Sequence, residues 1–235
     1  VPKGELIYAV GDIHGRSDLL AELLLKIEAD AATRSAANKR LIFLGDYMDR
    51  GPDSRGVIEI LLHGLPSGFP AHFLKGNHEA LLLGFLADAS RLDQWRYNGG
   101  EETMASYGVD VGGLKQARAA PEAWREAFAS ALPPTHLDFL QGLDLLIPAD
   151  DYLFVHAGLR PGVPLEAQSE TDLIWIRDEF LESTKSFGKV VVHGHTPALE
   201  PVMRPNRIGI DTGAVFSGRL TALRLQDGER SFLAT

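Results

Sequence analysis

Five polar clusters each close an apolar run of the 235-residue chain: Gly11-Asp12-Ile13-His14-Gly15, Gly45-Asp46-Tyr47-Met48-Asp49-Arg50-Gly51, Gly76-Asn77-His78-Glu79, His156-Ala157-Gly158 and Gly194-His195-Thr196. Asp, His and Asn supply the oxygen and nitrogen donors that hard and borderline divalent cations take. Five such clusters spread over one domain can converge on two ions. A lone Gly-Asp pair also marks a turn or a helix cap, and a lone His is more often a hydrogen-bonded residue at a core edge. That plainer reading suits His63, His72 and His136, which lie outside the clusters. For the clustered residues it would have to hold five times over.

Elements that end just ahead of the clusters must position them. Leu6 to Val10, Leu41 to Leu44 and Ala71 to Leu74 read as buried strands. Leu19, Leu20, Leu23, Leu24 and Ile27 repeat with helical spacing behind Ser17 or Asp18 as cap, and 56–62 and 80–86 read as further helices. Strand and helix alternate as in βαβ units, whose ligands sit past the carboxyl ends of the strands. From about Asp88 to Ala149 the pattern becomes Ala- and Glu-rich and is punctuated by Gly99-Gly100, Gly112-Gly113 and Pro133-Pro134, which predicts a helical insertion. Strand character returns at 152–155, 189–192, 208–210 and 220–225, and Asp227-Gly228 predicts a hairpin turn before Arg230 to Leu233. No linker composition and no fixed-period repeat interrupts the chain, so one domain over residues 1–235 is expected.

Composition narrows the chemistry. A net charge of -9 disfavours a sequence-independent grip on nucleic acid, and no Lys/Arg-rich aromatic stripe offers a single strand a track. With no cysteine in the chain, thiolate sites and disulfides are excluded, and a metal must be held by nitrogen and oxygen. No run approaches a membrane span, and no basic n-region with an apolar core precedes Leu6. A cytoplasmic, monomeric protein with neither membrane nor nucleic-acid partner is expected.

The set resembles the calcineurin-like metallophosphoesterases, and within them the phosphoprotein phosphatase branch that includes bacterial and bacteriophage serine/threonine phosphatases. The resemblance runs from about Leu6 to Leu225. It rests on the full Gly-Asp-x-x-Asp-Arg-Gly form at 45–51, on Gly-Asn-His-Glu at 76–79, on Trp175-Ile176-Arg177 and on Asp211-Thr212-Gly213-Ala214-Val215-Phe216. It implies an α/β fold, a two-sheet sandwich flanked by helices in four layers. It also implies that Asp12 and His14 ligate one metal, that Asn77, His156 and His195 ligate a second, and that Asp46 bridges the two. Manganese is the expected metal under assay, and iron or zinc also suit a mixed N/O set. The expected reaction is hydrolysis of a phosphomonoester by metal-bridging hydroxide attacking in line, with phosphoserine or phosphothreonine in a protein or peptide as substrate and small phosphoesters as further candidates.

Position by position, the resemblance makes Arg50 and Arg177 the phosphate clamp, with Asn77 also bordering the substrate, because guanidinium matches phosphate in a planar fork. His78 becomes the general acid and Asp49 the carboxylate that orients it. The competing reading of Arg177 is a surface helix charge. Ala157 stands where many relatives carry glycine, a small change that leaves His156 in place. His193 lies two residues before His195, and strand alternation would put both on one side; the Gly-His-Thr pattern selects His195 and leaves His193 as a packed or supporting residue. Lys75 is expected to be structural or electrostatic, Tyr47, Tyr107 and Glu79 to pack or hydrogen-bond, and Asp211 to support a ligand from behind.

Two alternatives remain. Diadenosine polyphosphate hydrolases share the same core motifs, and an intact Asp49 beside a general-acid His favours a poor alkoxide leaving group over a nucleotide. A non-catalytic phosphoprotein-binding module would have lost a ligand or a phosphate arginine, and none is lost here.

Overall fold

Along the first strand, β1 (Glu5–Val10), Leu6, Tyr8 and Val10 join one apolar cluster and Ile7 and Ala9 another. Side chains that alternate across a pleat can build a core on each face of a sheet. The computed structural model describes Val1 and Gly4–Thr235. After β1 come α1 (Ser17–Ala32), β2 (Asn38–Phe43), α2 (Ser54–His63), β3 (Ala71–Phe73) and α3 (Asn77–Ala87). A helical stretch follows, with α4 (Leu92–Tyr97), α5 (Gly100–Ser106), α6 (Val111–Gln116), α7 (Pro121–Ala131) and α8 (Pro134–Gln141). The second half holds β4 (Leu146–Ala149), β5 (Tyr152–Val155), α9 (Glu170–Trp175), α10 (Asp178–Leu181), β6 (Val190–His193), β7 (Val202–Met203), β8 (Arg207–Gly209), α11 (Ala214–Ser217), β9 (Thr221–Gln226) and β10 (Glu229–Ala234).

These strands form two five-stranded sheets, ordered β10-β9-β1-β2-β3 and β4-β5-β6-β8-β7. Within them β1, β2 and β3 are parallel, as are β5, β6 and β8, while β9, β10, β4 and β7 run antiparallel to their neighbours. Ile7, Ala9, Ile42 and Leu44 of the first sheet interleave with Phe154, Val192 and Ile208 of the second. The outer face of the first sheet is covered by α1, α2, α3 and the helical stretch, and that of the second by α9 and α10. The result is the expected α/β sandwich in four layers. Fully burying a side chain such as Phe43 or Val192 contributes about 1.5–3 kcal/mol.

Several boundaries differ from expectation. Neither Ser17 nor Asp18 caps α1: the N-cap residue is Arg16, without a side-chain cap bond, and Ser17 instead donates to Asp53 Oδ2 at 2.5 Å. Asp53 accepts the Gly56 N–H at 2.9 Å, so α2 begins two residues early. Glu79 takes the Gly76 N–H at 2.9 Å, which carries α3 back to Asn77. The span expected to be a helical insertion ends in strand, because 146–149 pair with β5 as an edge strand, a setting in which Pro148 can sit in a sheet. Asp227, with φ 49°, and Gly228, with φ 84°, make the expected turn between β9 and β10.

Candidate metal centre

All five clusters follow the carboxyl ends of parallel strands, three in the first sheet and two in the second. The two sheets are stitched together there. His156 Nδ1–H, past β5, donates to the Leu44 carbonyl past β2 at 2.7 Å, and the His195 N–H donates to Asp12 Oδ2 at 2.9 Å. Asp46 lies between the halves, with Oδ2 at 3.6 Å from His14 Nε2 and 3.4 Å from His156 Nε2. Two groups of potential ligand atoms result, His14/Asp46/His78 and Asp46/His156/His195, and Asp46 belongs to both. Reaching these positions strains the backbone. Among the described residues, eight non-glycine residues have positive φ, and five of them are His14, Asp46, Asp49, Arg50 and His195. Such conformations cost about 1–3 kcal/mol each and persist where the surroundings over-determine them.

Donor chemistry suits divalent cations. Asp12 Oδ1 and His195 Nε2 are buried without a hydrogen-bond partner among the described residues. His156 has given its Nδ1 proton to Leu44, so Nε2 turns a lone pair toward Asn77 Oδ1 at 3.0 Å. Two acceptors that face each other want a shared cation. His14 donates Nδ1–H to the Met48 carbonyl at 2.9 Å, which leaves Nε2 as its free base. Burial lowers His14 to about 3 against the pull of Asp46, lowers His195 to about 2 and lowers His156 as well, so all three imidazoles are neutral, as ligands must be. Burial opposes ionising Asp46, yet positive charge on the imidazoles around it outweighs burial and holds its carboxyl below the usual range; with His14, His156 and His195 neutral, that charge is carried by His78. Asp12 is pushed well up by burial and then by the Asp211 and Asp46 carboxylates. Asp211 is raised to about 6, by burial first and then by Asp46, against the Gly213 N–H it accepts at 2.8 Å. Buried acids crowded in this way favour an added positive charge.

Beside this group His78 Nδ1 donates to Asp49 Oδ2 at 2.7 Å, and both side chains are fully buried. Its Nε2 has no partner and lies 4.0 Å from Asp46 Oδ2. Burial alone would lower the His78 pKa, but Asp46 and the Asp49 hydrogen bond outweigh it and raise it. An imidazole inclined to hold two protons offers a proton more readily than a lone pair, although distance alone groups it with His14 and Asp46. Arg50 is exposed and its Nη1 donates to His14 Nε2 at 2.9 Å. Arg177 is exposed between α9 and α10, and among the described residues its one hydrogen bond is from Nη1 to Thr196 Oγ1 at 3.4 Å. It is therefore not a charge on the side of a helix.

His193 stands apart from His195. β6 ends at His193 and His195 turns left-handed with φ 64°, so strand alternation no longer applies and the two imidazoles part. Both His193 nitrogens are engaged, Nδ1 with the Gly194 carbonyl at 3.0 Å and Nε2 with Arg207 Nη1 at 3.2 Å. His136 bonds Tyr107 Oη at 2.8 Å and sits 3.2 Å from Glu59, and Lys75 pairs with Glu170 at 2.9 Å. Glu79 does more than its sequence position suggested: its carboxylate accepts the N–H groups of Gly76, Asp46 and Tyr47, each at 2.9 Å, and so holds the loop that presents Asp46. Gly76 is obligatory beside it, because a Cβ there would lie 2.1 Å from Asp46 Oδ1. Trp95 and Thr103, which both donate to Asp49, were invisible to sequence reasoning because they lie 46 and 54 residues away with no motif around them.

Comparison with known proteins bears on what such a centre does. A calcineurin-like phosphoesterase profile matches residues 6–219. The asymmetrical bis(5'-nucleosyl)-tetraphosphatase PrpE of Oceanobacillus iheyensis is 26% identical over 237 residues, covering 94% of this chain and 88% of that one. Serine/threonine-protein phosphatase 1 of Salmonella typhimurium is 28% identical over 225 residues, covering 94% and 92%. In three dimensions, a crystal structure provisionally assigned as a diadenosine tetraphosphatase superposes with a TM-score of 0.65 at 24% identity, covering 98% of this chain and 94% of that one. Among the described residues no helix is long and apolar enough to cross a membrane.

Proposed function

Because the chain belongs to the calcineurin-like phosphoesterase family, we propose that it is a dinuclear metal-dependent phosphomonoesterase acting on phosphoserine or phosphothreonine in proteins. The observation that carries this reading is the buried His78–Asp49 pair at 2.7 Å, with His78 Nε2 turned to the centre. A serine or threonine alkoxide is a poor leaving group and needs a proton as it departs.

In this proposal Asp12, His14 and Asp46 would hold one ion, and Asp46, Asn77, His156 and His195 the other, with manganese, iron or zinc all compatible with the donor set. Two bound dications supply Lewis acidity to the attacking water and to the phosphoryl oxygens. Arg50 and Arg177 grip the remaining phosphoryl oxygens and offset the charge that builds on them. As the P–O bond breaks, His78 passes its Nε2 proton to the departing oxygen and keeps Nδ1–H on Asp49. Asp49 accepts that Nδ1–H throughout and so fixes the ring.

A second reading, asymmetrical hydrolysis of dinucleoside tetraphosphates, has comparable support from relatives named for that activity. One feature of the site favours it: Trp175 is 37% exposed, and its ring centroid lies 6.1 Å from that of His195, where a base could stack. Rates for a phosphothreonine peptide and for diadenosine tetraphosphate, measured with manganese, separate the two. A higher kcat/KM for the peptide is expected. A strong preference for the dinucleotide, lost in Trp175→Ala, replaces the first reading with the second.

A further inference from the structure

Asp49 and Arg50 are consecutive left-handed residues, with φ 69° and 68°. Neither is glycine, so their backbone is costly unless something outside the loop holds it. What holds it comes from the helical stretch between α3 and β4. The Asp49 N–H donates to Thr103 Oγ1 at 2.9 Å and to Ser54 Oγ at 3.1 Å, and the Arg50 N–H donates to the Gly99 carbonyl at 3.2 Å. The same segment grips the Asp49 side chain. Thr103 Oγ1–H donates to Oδ1 at 2.6 Å, and Trp95 Nε1–H reaches both carboxylate oxygens at 3.1 Å.

Proton counting makes this arrangement directional. Thr103 has one hydroxyl proton and spends it on Asp49, so across the 3.0 Å contact between the two hydroxyls it is Ser54 that donates. Asp49, fully buried, thus receives Thr103, Trp95 and His78 on its two oxygens, which fixes its rotamer without water. The indole is set in turn by Phe85, at 5.0 Å between ring centroids, and Phe128, at 5.2 Å. Two glycines permit the approach. A Cβ on Gly99 (φ 97°) would lie 2.5 Å from the Arg50 nitrogen, and one on Gly100 would lie 2.5 Å from the Trp95 ring.

We propose that the α4–α5 hairpin is a clasp for proton delivery, in which Trp95 and Thr103 are positioning residues that orient His78 through Asp49. The same hairpin sets the backbone of Arg50 through Gly99, so one element of the helical stretch registers the acid and the phosphate clamp together. This rests on the reading of His78 as the proton donor.

The test compares manganese-loaded wild type, Thr103→Val, Thr103→Ser, Trp95→Phe and His78→Asn on a phosphothreonine peptide and on p-nitrophenyl phosphate. Its readout is the ratio of the two kcat/KM values, since only the alkyl ester needs a proton on its leaving oxygen. His78→Asn is expected to lower the ratio by about 10²-fold and Thr103→Val and Trp95→Phe by about tenfold, while Thr103→Ser, which keeps the hydroxyl, restores it. Damage to folding alone lowers both rates and leaves the ratio where it was. A wild-type ratio in both Thr103→Val and Trp95→Phe, with a lowered ratio in His78→Asn, overturns the clasp and leaves the acid in place. A wild-type ratio in His78→Asn removes the acid itself, and the clasp with it.

Discussion

The backbone N–H of His78 donates to Asp46 Oδ1 at 3.0 Å. In the proposed reaction this fixes proton donor and shared carboxylate to each other through a bond that uses the reactive atom of neither. Asp46 Oδ2 stays free to face His14 and His156, and His78 Nε2 stays free to face substrate. The two functions cannot drift apart without breaking the first turn of α3.

Asp46→Asn keeps an acceptor for that N–H while removing the charge between the two ligand groups. We expect a properly folded protein whose hydrolytic activity falls about 10²- to 10³-fold. At manganese one hundred times its Kd, wild type gains about 2.7 kcal/mol of stability. Asp46→Asn should lose most of that gain in a melting experiment, and an equal gain in both proteins would remove Asp46 from the centre.

Among the described residues Arg177 has one weak hydrogen-bond partner, Thr196, and is open to an anion. Arg177→Ala should lower kcat/KM for phosphopeptide about 10²-fold with an unchanged melting temperature. Arg177→Lys should recover little, because an ammonium cannot make the planar two-point contact. Full activity in the lysine variant would show that charge alone suffices.

Glu79→Gln replaces one of two carboxylate oxygens by an NH₂ group that would face a backbone N–H. Leaving that donor unsatisfied in the core costs about 1–3 kcal/mol, which for a chain of this size lowers the melting temperature by roughly 2–10 °C. A melting temperature equal to wild type would mean the loop holding Asp46 does not depend on Glu79.

Far from the centre, Asp30 joins α1 to the first sheet by accepting Tyr8 Oη–H at 2.6 Å, Arg34 at 3.2 Å and Arg224 at 2.9 Å. Burial opposes its ionisation, but these donors outweigh it and depress the pKa. A depressed carboxyl contributes stability that is fully present above its unfolded pKa of about 3.9 and is lost as pH falls through the folded value. Asp30→Asn should therefore be less stable than wild type by about 1–3 kcal/mol at pH 7. Denaturant titrations should show that gap closing only below about pH 4; a gap independent of pH would show that the carboxylate charge contributes nothing.

Local patterns made the parallel strands and their terminal clusters legible, because apolar runs followed by Gly-Asp or Gly-Asn-His carry their meaning within ten residues. Long-range satisfaction of hydrogen bonds did not show. The sequence predicts α3 from Ala80 because nothing at Gly76 resembles a side-chain cap; the cap comes from Glu79 inside the helix. β4 was hidden by Pro148, whose tolerance depends on its being at a sheet edge. His193 and His195 could not be separated by alternation, since the strand stops between them. Trp95 and Thr103 carry no local signature at all, and only the folded chain brings them to Asp49.

The stitch between His195 and Asp12 spans 183 residues of sequence. Contacts that distant close late, after the entropy of a long loop has been lost. Ions bound at the centre should thus hold together a junction that is not yet made when the chain crosses its folding barrier. They would leave the folding rate nearly unchanged and slow the unfolding rate, so that the centre also serves as a latch on the lifetime of the native state.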